Sequence, residues 1–565
     1  MTYWKFALVA AATFTGISVL SLITSLIVNS APAETSKIVS STSWVGETFI
    51  DGKANFIRIA PQVFSGPELF FHRPNELIFN QTLDGFIVNN STISFAVIND
   101  VGERIQMFSG TYNIGSNYYS GTVHGVAGNG SFILYPAASV PDNTVLKAYS
   151  GTYEMADGVY RTVGFEDVAG LVQTRLYYSD GEDFVLLFPI SASEFITGLG
   201  ERVRFDRAKD GVSAMTIIGR SSERSVPKIK LYSETEVTFQ SDDATIVGTL
   251  LTPKTPGPHP AVIIAHTSAG GERHAYWLFA SQFVQDGIAV LSYDRHGHGK
   301  STGGEPFNLD TDVLAEDMKA GFAYLQTHSD IDPQRIGLMG FSNGSWVAAR
   351  AAEDIPDVAF ISVSMASGVS QVDAELFRRE SALRAADVSE KSITQAVEAL
   401  ELYYKGSTSS FTKAEATEFS IMYQALAGNK EFQSVQGFNV LPTDTPLEQI
   451  LNDGGSRAYM GFSPTETYLS TDAPVSFFAG ELDENIPIGL TKLTLENVIV
   501  QRPGADITFV VYPNALHGMF TLPAPIKGIS QDVLLPNLAS YQFASGYMTQ
   551  MRSWLKERTG LAEGE

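Results

Sequence analysis

A chain of 565 residues has room for two or three domains with sizeable cores. Its 38 Lys and Arg stand against 62 Asp and Glu, a net charge of −24, which disfavours nucleic acid and anionic membrane surfaces as partners and fits neutral or cationic substrates. The absence of cysteine excludes disulfides, thiolate metal sites and a cysteine nucleophile.

The first element is residues 1–33. After Lys5, Phe6 to Val28 is a run of 23 uncharged residues, followed by Ala31-Pro32-Ala33, a small-residue pattern of the kind signal peptidase cuts. The segment reads as an export signal. The run is also long enough to span a bilayer, so an uncleaved anchor through residues 6–28 is the alternative. Either reading places the remainder outside the cytoplasm, in the periplasm or the medium.

From 34 to 230 the sequence changes to short β-branched and aromatic runs punctuated by Gly, Asn, Asp and Ser, such as Thr92-Ile93-Ser94-Phe95-Ala96-Val97-Ile98 and Asp183-Phe184-Val185-Leu186-Leu187-Phe188. This predicts a separate all-β domain. Ser109-Gly110-Thr111-Tyr112 recurs as Ser150-Gly151-Thr152-Tyr153, a short identity that would fit two related β units. What the domain binds is open: a polymer, an envelope component or only its neighbouring domain.

A new domain is expected over 235–558. Thr252 to Pro260 reads as a rigid surface loop, with His259 exposed to solvent. Ala261-Val262-Ile263-Ile264-Ala265-His266 then reads as a buried strand, and Ile288 to Tyr293 as the next, ending in Asp294-Arg295-His296-Gly297-His298-Gly299. Two imidazoles and a carboxylate within five residues invite a metal reading, but zinc wants a third close ligand and the same residues fit a glycine turn with structural hydrogen bonds. No metal or cofactor is called for. Asp310, Asp312 and Asp317 read as the exposed acidic start of a helix.

Arg335 to Trp346 is an apolar strand running into Gly340-Phe341-Ser342-Asn343-Gly344 and then a helix. In a turn this sharp, strand and helix approach so closely that only glycine fits on either side, and the serine hydroxyl is left exposed at the strand end. About a hundred residues separate the next strand, Ile361 to Met365, from the one beginning near Ala473. Helical periodicity in Ala374–Ala386, Ser389–Tyr404 and Lys413–Ala427 predicts a helical cap over 368–470, with its aromatics forming a core. Val475 to Gly480 leads into Glu481-Leu482-Asp483-Glu484, and Ile507 to Tyr512 into Pro513-Asn514-Ala515-Leu516-His517. Three loops at the carboxyl ends of strands thus carry Ser342, then an acid, then His517, and in a parallel sheet such loops converge. Asp483 is the preferred acid, with Glu481 and Glu484 as its neighbours in reserve.

In motif and order, residues from about 235 to 558 resemble the α/β-hydrolase fold of the serine-hydrolase superfamily, and in particular bacterial exported esterase and acyl-peptidase-type hydrolases that carry an extra β-rich domain in front. The resemblance implies a mostly parallel sheet flanked by helices, with the cap inserted. It implies the catalytic set Ser342, Asp483 and His517, with an oxyanion hole from the backbone N–H of Asn343 and of Thr267 or Ser268. One departure bears on the last point: the family commonly has glycine after the strand histidine, whereas this chain has His266-Thr267-Ser268. The expected function is hydrolysis of carboxylic esters through an acyl-enzyme. The alternatives are a peptidase or acyl-peptide hydrolase of the same fold, and a non-catalytic envelope binding protein. A small-molecule ester or peptide is the expected substrate, and other protein partners are not specified.

Overall fold

The computed structural model describes residues 43–561, apart from 62–67, 168–173, 305–308, 432–460, 523–537 and positions 157, 210, 220–221, 269, 409–410, 428 and 430. The expected export signal or anchor at 1–33 lies outside the described residues, as does part of the 368–470 insertion. No described helix is long and apolar enough to cross a membrane. The described chain forms two units: a β unit that ends at Lys230 and also includes residues 538–542, and an α/β unit of the described residues between Leu231 and Leu522 with the segment from Phe543 on.

The β unit is two closed rings. In the first, eight strands from Trp44–Ile50 to Gly130–Pro136 pair antiparallel in sequence order, and the first pairs with the last from Trp44↔Pro136 to Ile50↔Gly130. Alternation decides what fills it: Ile93, Phe95 and Val97 of the strand Thr92–Ile98 all point into one cluster with Trp44, Phe71, Phe108 and Phe132. In the second ring, eight further strands run from Gly151–Ala156 to Glu223–Ile229, and the pair Lys228↔Tyr153 closes it. Leu146 and Tyr149, from the short helix Asn143–Tyr149, join the cluster formed by Tyr153, Tyr178, Phe195 and Phe205.

The repeated tetrapeptide does not mark matching places in the two rings. Ser109–Tyr112 lies in the sixth strand of the first, whereas Gly151–Tyr153 opens the first strand of the second. A second difference concerns the span expected for the α/β domain, because Ser540–Gln542 pairs with Asp183–Val185 of the β unit and Tyr541 stacks on Phe184 at 4.7 Å.

The α/β unit holds an eight-stranded sheet, numbered here within that unit: β1 (Tyr232–Ser241), β2 (Ala244–Pro253), β3 (His259–Ala265), β4 (Ala289–Tyr293), β5 (Ile331–Phe341), β6 (Ile361–Ser364), β7 (Val475–Gly480) and β8 (Ile507–Tyr512). Their spatial order is β1-β2-β4-β3-β5-β6-β7-β8. β2 is antiparallel to both neighbours, and the pairs from β4 through β8 are parallel. β3, β4, β6 and β7 are buried along their whole length, which explains their continuous apolar runs: helices cover both faces of a parallel sheet. Besides the short helix Thr465–Ser470, the described helices are α1 (Trp277–Gln285), α2 (Thr311–Thr327), α3 (Gly344–Asp354), α4 (Gln371–Ala385), α5 (Glu390–Thr408), α6 (Lys413–Ala427), α7 (Ile488–Gln501) and α8 (Tyr547–Arg558).

α4, α5 and α6 form the described part of the cap, with a core of their own in which Tyr404, Phe419 and Tyr423 are buried and Tyr403 and Phe411 pack against them. Two expectations fail for a shared reason, the burial supplied by distant neighbours. His259 is not exposed. It opens β3, is 5% exposed, and its amide donates to the Asp330 carbonyl at 2.8 Å. Asp310 caps α2 as expected, accepting from the amides of Asp312 and Val313, but Asp317 lies two turns on and is fully buried. Its carboxylate accepts the His296 amide and faces His296 Nδ1, both at 3.2 Å. The other members of the Asp-His-His turn are also engaged structurally: Asp294 accepts the amides of Arg273 and Lys300, and Arg295 donates to His298 Nε2 at 3.0 Å. Among the described residues, no three His, Asp or Glu side chains gather into a set that could hold a metal ion.

Candidate active site

The site begins at the end of β5. Ser342 follows Phe341 with φ 51°, in the left-handed region, and its amide donates to the Ser364 carbonyl of β6 at 2.9 Å. A side chain is costly in that conformation, and the cost is characteristic of a nucleophile held on a tight turn. The two flanking glycines are required by contact. A Cβ on Gly340 would strike the Gly344 carbonyl, and one on Gly344 would strike the Ala265 carbonyl at the end of β3.

β7 and β8 supply the other two groups. Ser342 Oγ lies 3.0 Å from His517 Nε2, and His517 Nδ1 lies 2.8 Å from Asp483 Oδ2 and 3.0 Å from Oδ1. Asp483 is 5% exposed, and its Oδ1 accepts the amides of Asn485 and Ile486 at 2.9 Å each, which fixes the carboxylate while Oδ2 faces the imidazole. The neighbouring acids have other places. Glu481 accepts the Asn514 amide at 3.0 Å, bracing the loop that leads to His517. The Glu484 carboxyl has its pKa raised by burial and by Asp483, and its Oε1 is buried with no hydrogen-bond partner among the described residues.

Burial opposes protonation of His517, but the charge and hydrogen bond of Asp483, helped by Glu484, outweigh it, so the imidazole pKa is raised; Arg378 pulls the other way. Arg378 belongs to α4, and its placement follows from how that helix is anchored. Gln371 Nε2 reaches Asn343 Oδ1 at 3.4 Å, and Ala374 packs with Trp346 and Ile486. Arg378, one turn beyond Ala374 on the same stripe, makes a two-pronged pair with Glu375 at 2.7 Å for both bonds. Burial works against ionisation of Glu375, yet Arg379 and Arg378 bring its carboxyl down to about 2.

Asn343 has helical backbone angles at the start of α3, so its N–H is one of those a helix leaves unpaired at its N-terminus. Thr267 and Ser268 follow β3. Their amides differ in one respect: Thr267 N donates to Tyr276 Oη at 2.5 Å. Neither Tyr276 nor Gln371 carries a sequence signal. One lies eleven residues past the end of β3 and the other at the start of a cap helix, and only packing brings them to Phe341 and Asn343, the neighbours of Ser342.

A family model described as serine aminopeptidase, S33, matches residues 256–415, which include β3, the Ser342 turn and the first cap helices. The α/β unit has the α/β-hydrolase fold and is similar to that family over the matched residues. Among curated relatives of this α/β hydrolase, the quorum-quenching protein AidA of Acinetobacter baumannii is 35% identical over 134 residues, 24% of this chain and 43% of that protein. A thiohydrolase, aneE, of Aspergillus aculeatus is 31% identical over 123 residues, 22% of this chain and 38% of its own. The α/β hydrolase thus spans less than half the length of either. Among solved structures, an esterase of Pyrococcus furiosus aligns over 58% of this chain and 94% of its own, at 16% identity and a TM-score of 0.34. A proline iminopeptidase of Mycobacterium smegmatis aligns over 58% and 100%, at 18% identity and 0.33.

Proposed function

We propose that this α/β hydrolase is a serine hydrolase that cleaves carboxylic esters of small molecules through an acyl-enzyme. The observation that carries the reading is the unbroken chain from Ser342 Oγ through His517 to Asp483, with both links at 3.0 Å or less. As Ser342 Oγ attacks the ester carbonyl carbon, its proton passes to His517 Nε2, and Asp483 stabilises the imidazolium and holds its tautomer. The tetrahedral intermediate collapses, the ester C–O bond breaks, and His517 returns the proton to the departing alkoxide. Water then repeats the sequence on the acyl-enzyme, giving up a proton to His517 and releasing the acid and the free serine.

A peptidase or acyl-peptide hydrolase is the second reading, favoured by the serine aminopeptidase model that matches residues 256–415. That match stops before Asp483 and His517, so it bears on the turn and the cap more than on the chemistry of the leaving group. An ester needs little help with its alkoxide, whereas an amide needs a site that places His517 to protonate the amine.

The test is a fluorophosphonate probe on the whole chain, with the adduct located by peptide mass spectrometry beside Ser342→Ala and His517→Ala. Labelling of Ser342 that is lost in both variants supports the reading, and a paired screen of esters and aminoacyl amides then decides between its two forms. A folded protein that takes no label would favour a non-catalytic binder built on the β unit. Export belongs to the same proposal. It rests on Phe6–Val28 and Ala31-Pro32-Ala33, and N-terminal sequencing of protein recovered from the periplasm of a bacterial host would distinguish a cleaved signal from a retained anchor.

A further inference from the structure

The residue after the nucleophile is gripped from the cap. Asn343 is 7% exposed and hydrogen-bonded through one atom of its side-chain amide: Oδ1 accepts from Gln371 Nε2 at 3.4 Å, whereas Nδ2 is buried with no partner among the described residues. Gln371 is itself 4% exposed, and its Oε1 accepts from Thr311 Oγ1 at 3.1 Å. The three side chains form a relay across the starts of α2, α4 and α3. Neither Thr311 nor Gln371 is a member of the catalytic set.

The cap end of the relay is firmly held. Just before α4, the Val369 carbonyl accepts from Trp346 Nε1 at 2.9 Å, and the Gly368 amide donates to Thr491 Oγ1 at 3.2 Å. Ser370 caps the helix by accepting the Asp373 amide at 3.1 Å, and Ala374, one turn on, packs with Trp346 and Ile486. Gln371 thus has a fixed backbone and a side chain engaged at both polar atoms. The other end of the relay has less support of its own. Gly340 and Gly344 bring no side chains to the turn, and Ser342 sits at φ 51°, a conformation that its surroundings must maintain. Asn343 Oδ1 is where the cap reaches that turn. A side chain anchored at its far end restricts movement of its own Cα and of the peptide N–H beside it.

We propose that Gln371 is a positioning residue for catalysis: through Asn343 Oδ1 it holds the N–H that follows Ser342 in line with the oxyanion, and Thr311 holds Gln371. The inference rests on the serine-hydrolase reading above. Gln371 touches neither substrate nor the reacting atoms, and no proton moves along the relay. When Ser342 Oγ bonds to the carbonyl carbon, the charge that forms on the carbonyl oxygen is met by an Asn343 N–H whose place is already set, so less motion is needed at the moment of reaction. The first cap helix is on this account part of the catalytic apparatus as well as a wall of the substrate pocket.

The test is a double-variant cycle in the full chain, with rates taken per active site. Gln371→Met keeps the length of the side chain and removes both hydrogen bonds, and Asn343→Ala removes the anchored side chain while keeping the N–H. Each is expected to lower kcat by about 10-fold with KM within about twofold, the pattern of a donor misplaced in the transition state, and to slow labelling by the fluorophosphonate by a similar factor. The double variant should lose no more than either single one, because both act through the same bond. Retention of kcat within about twofold in Gln371→Met, or losses that multiply in the double variant, would overturn the inference. A milder change guards against a Gln371 variant that does not fold. Thr311→Val leaves Gln371 in place and should lower kcat by about threefold in the natural background and not at all beside Asn343→Ala. The same fall in both backgrounds would again overturn it. Wild-type protein that takes no fluorophosphonate overturns the serine-hydrolase reading itself, whereas labelled wild type with an unaffected Gln371→Met overturns this inference alone.

Discussion

Gly340 and Gly344 face each other across the turn that carries Ser342, so closely that a Cβ on Gly340 would collide with the Gly344 carbonyl and lie 2.8 Å from the Ser345 nitrogen. These contacts are backbone to backbone, so nothing flexible can yield. Gly340→Ala is expected to cost about 2–4 kcal/mol in the unfolding of the α/β unit, measured by urea titration, and to abolish labelling of Ser342 in whatever folds. An unchanged midpoint would mean that the turn relaxes freely.

The raised pKa of His517 fixes the sense of the pH dependence. The histidine is a base only when neutral, so kcat/KM should climb with pH through a midpoint above the ordinary imidazole value of 6.5. A midpoint well below that value would show that burial outweighs Asp483.

Two residues outside the triad should move that midpoint in opposite directions. Arg378 disfavours the imidazolium and Glu484 favours it, so Arg378→Gln should shift the acidic limb up and Glu484→Gln should shift it down. Paired pH profiles of the two variants decide this, and shifts of the same sign would contradict it.

Asp483→Asn should keep the Asn485 and Ile486 amides satisfied while removing the charge behind His517. A loss of about 10³–10⁴ in kcat is expected, against little change for Glu481→Gln, which touches only the Asn514 amide. Comparable losses in the two variants would overturn the assignment of the acid.

Asp317, fully buried against His296, should behave as a structural group. Asp317→Ala leaves the His296 amide and ring nitrogen without their acceptor and is expected to destabilise by about 2–4 kcal/mol, while Asp317→Asn, which keeps an acceptor, costs less. Denaturant titration of both variants, with activity measured per folded molecule, checks this. Equal costs would show that the carboxylate's hydrogen bonds matter little.

What could be read ahead of the structure was local. Ser342, Asp483 and His517 each follow a strand-like run directly, so knowing where strands end is enough to gather them. The β texture of residues 34–230 was equally visible in alternations such as Ile93, Phe95 and Val97. Ring closure was not, because the pairing of Trp44–Ile50 with Gly130–Pro136 joins segments some eighty residues apart and leaves no trace in either. His259 and Asp317 were misplaced on the surface for a related reason: a short polar segment looks the same whether or not distant neighbours cover it. Tyr276 carries no such signal, because aromatic residues beside a strand end are ordinary core, and only its contacts with the Thr267 amide and the Phe341 ring place it beside the end of β3.

The first ring also begins and ends at one place. Its opening residue Trp44 pairs with its closing residue Pro136, and just outside them the Ala137 amide donates to the Ser43 carbonyl at 2.8 Å. The second ring closes in the same manner, with its last strand beside its first. The first ring is therefore threaded on the polypeptide like a bead, and it can be gained or lost by joining two backbone positions that already touch, without redirecting the chain on either side.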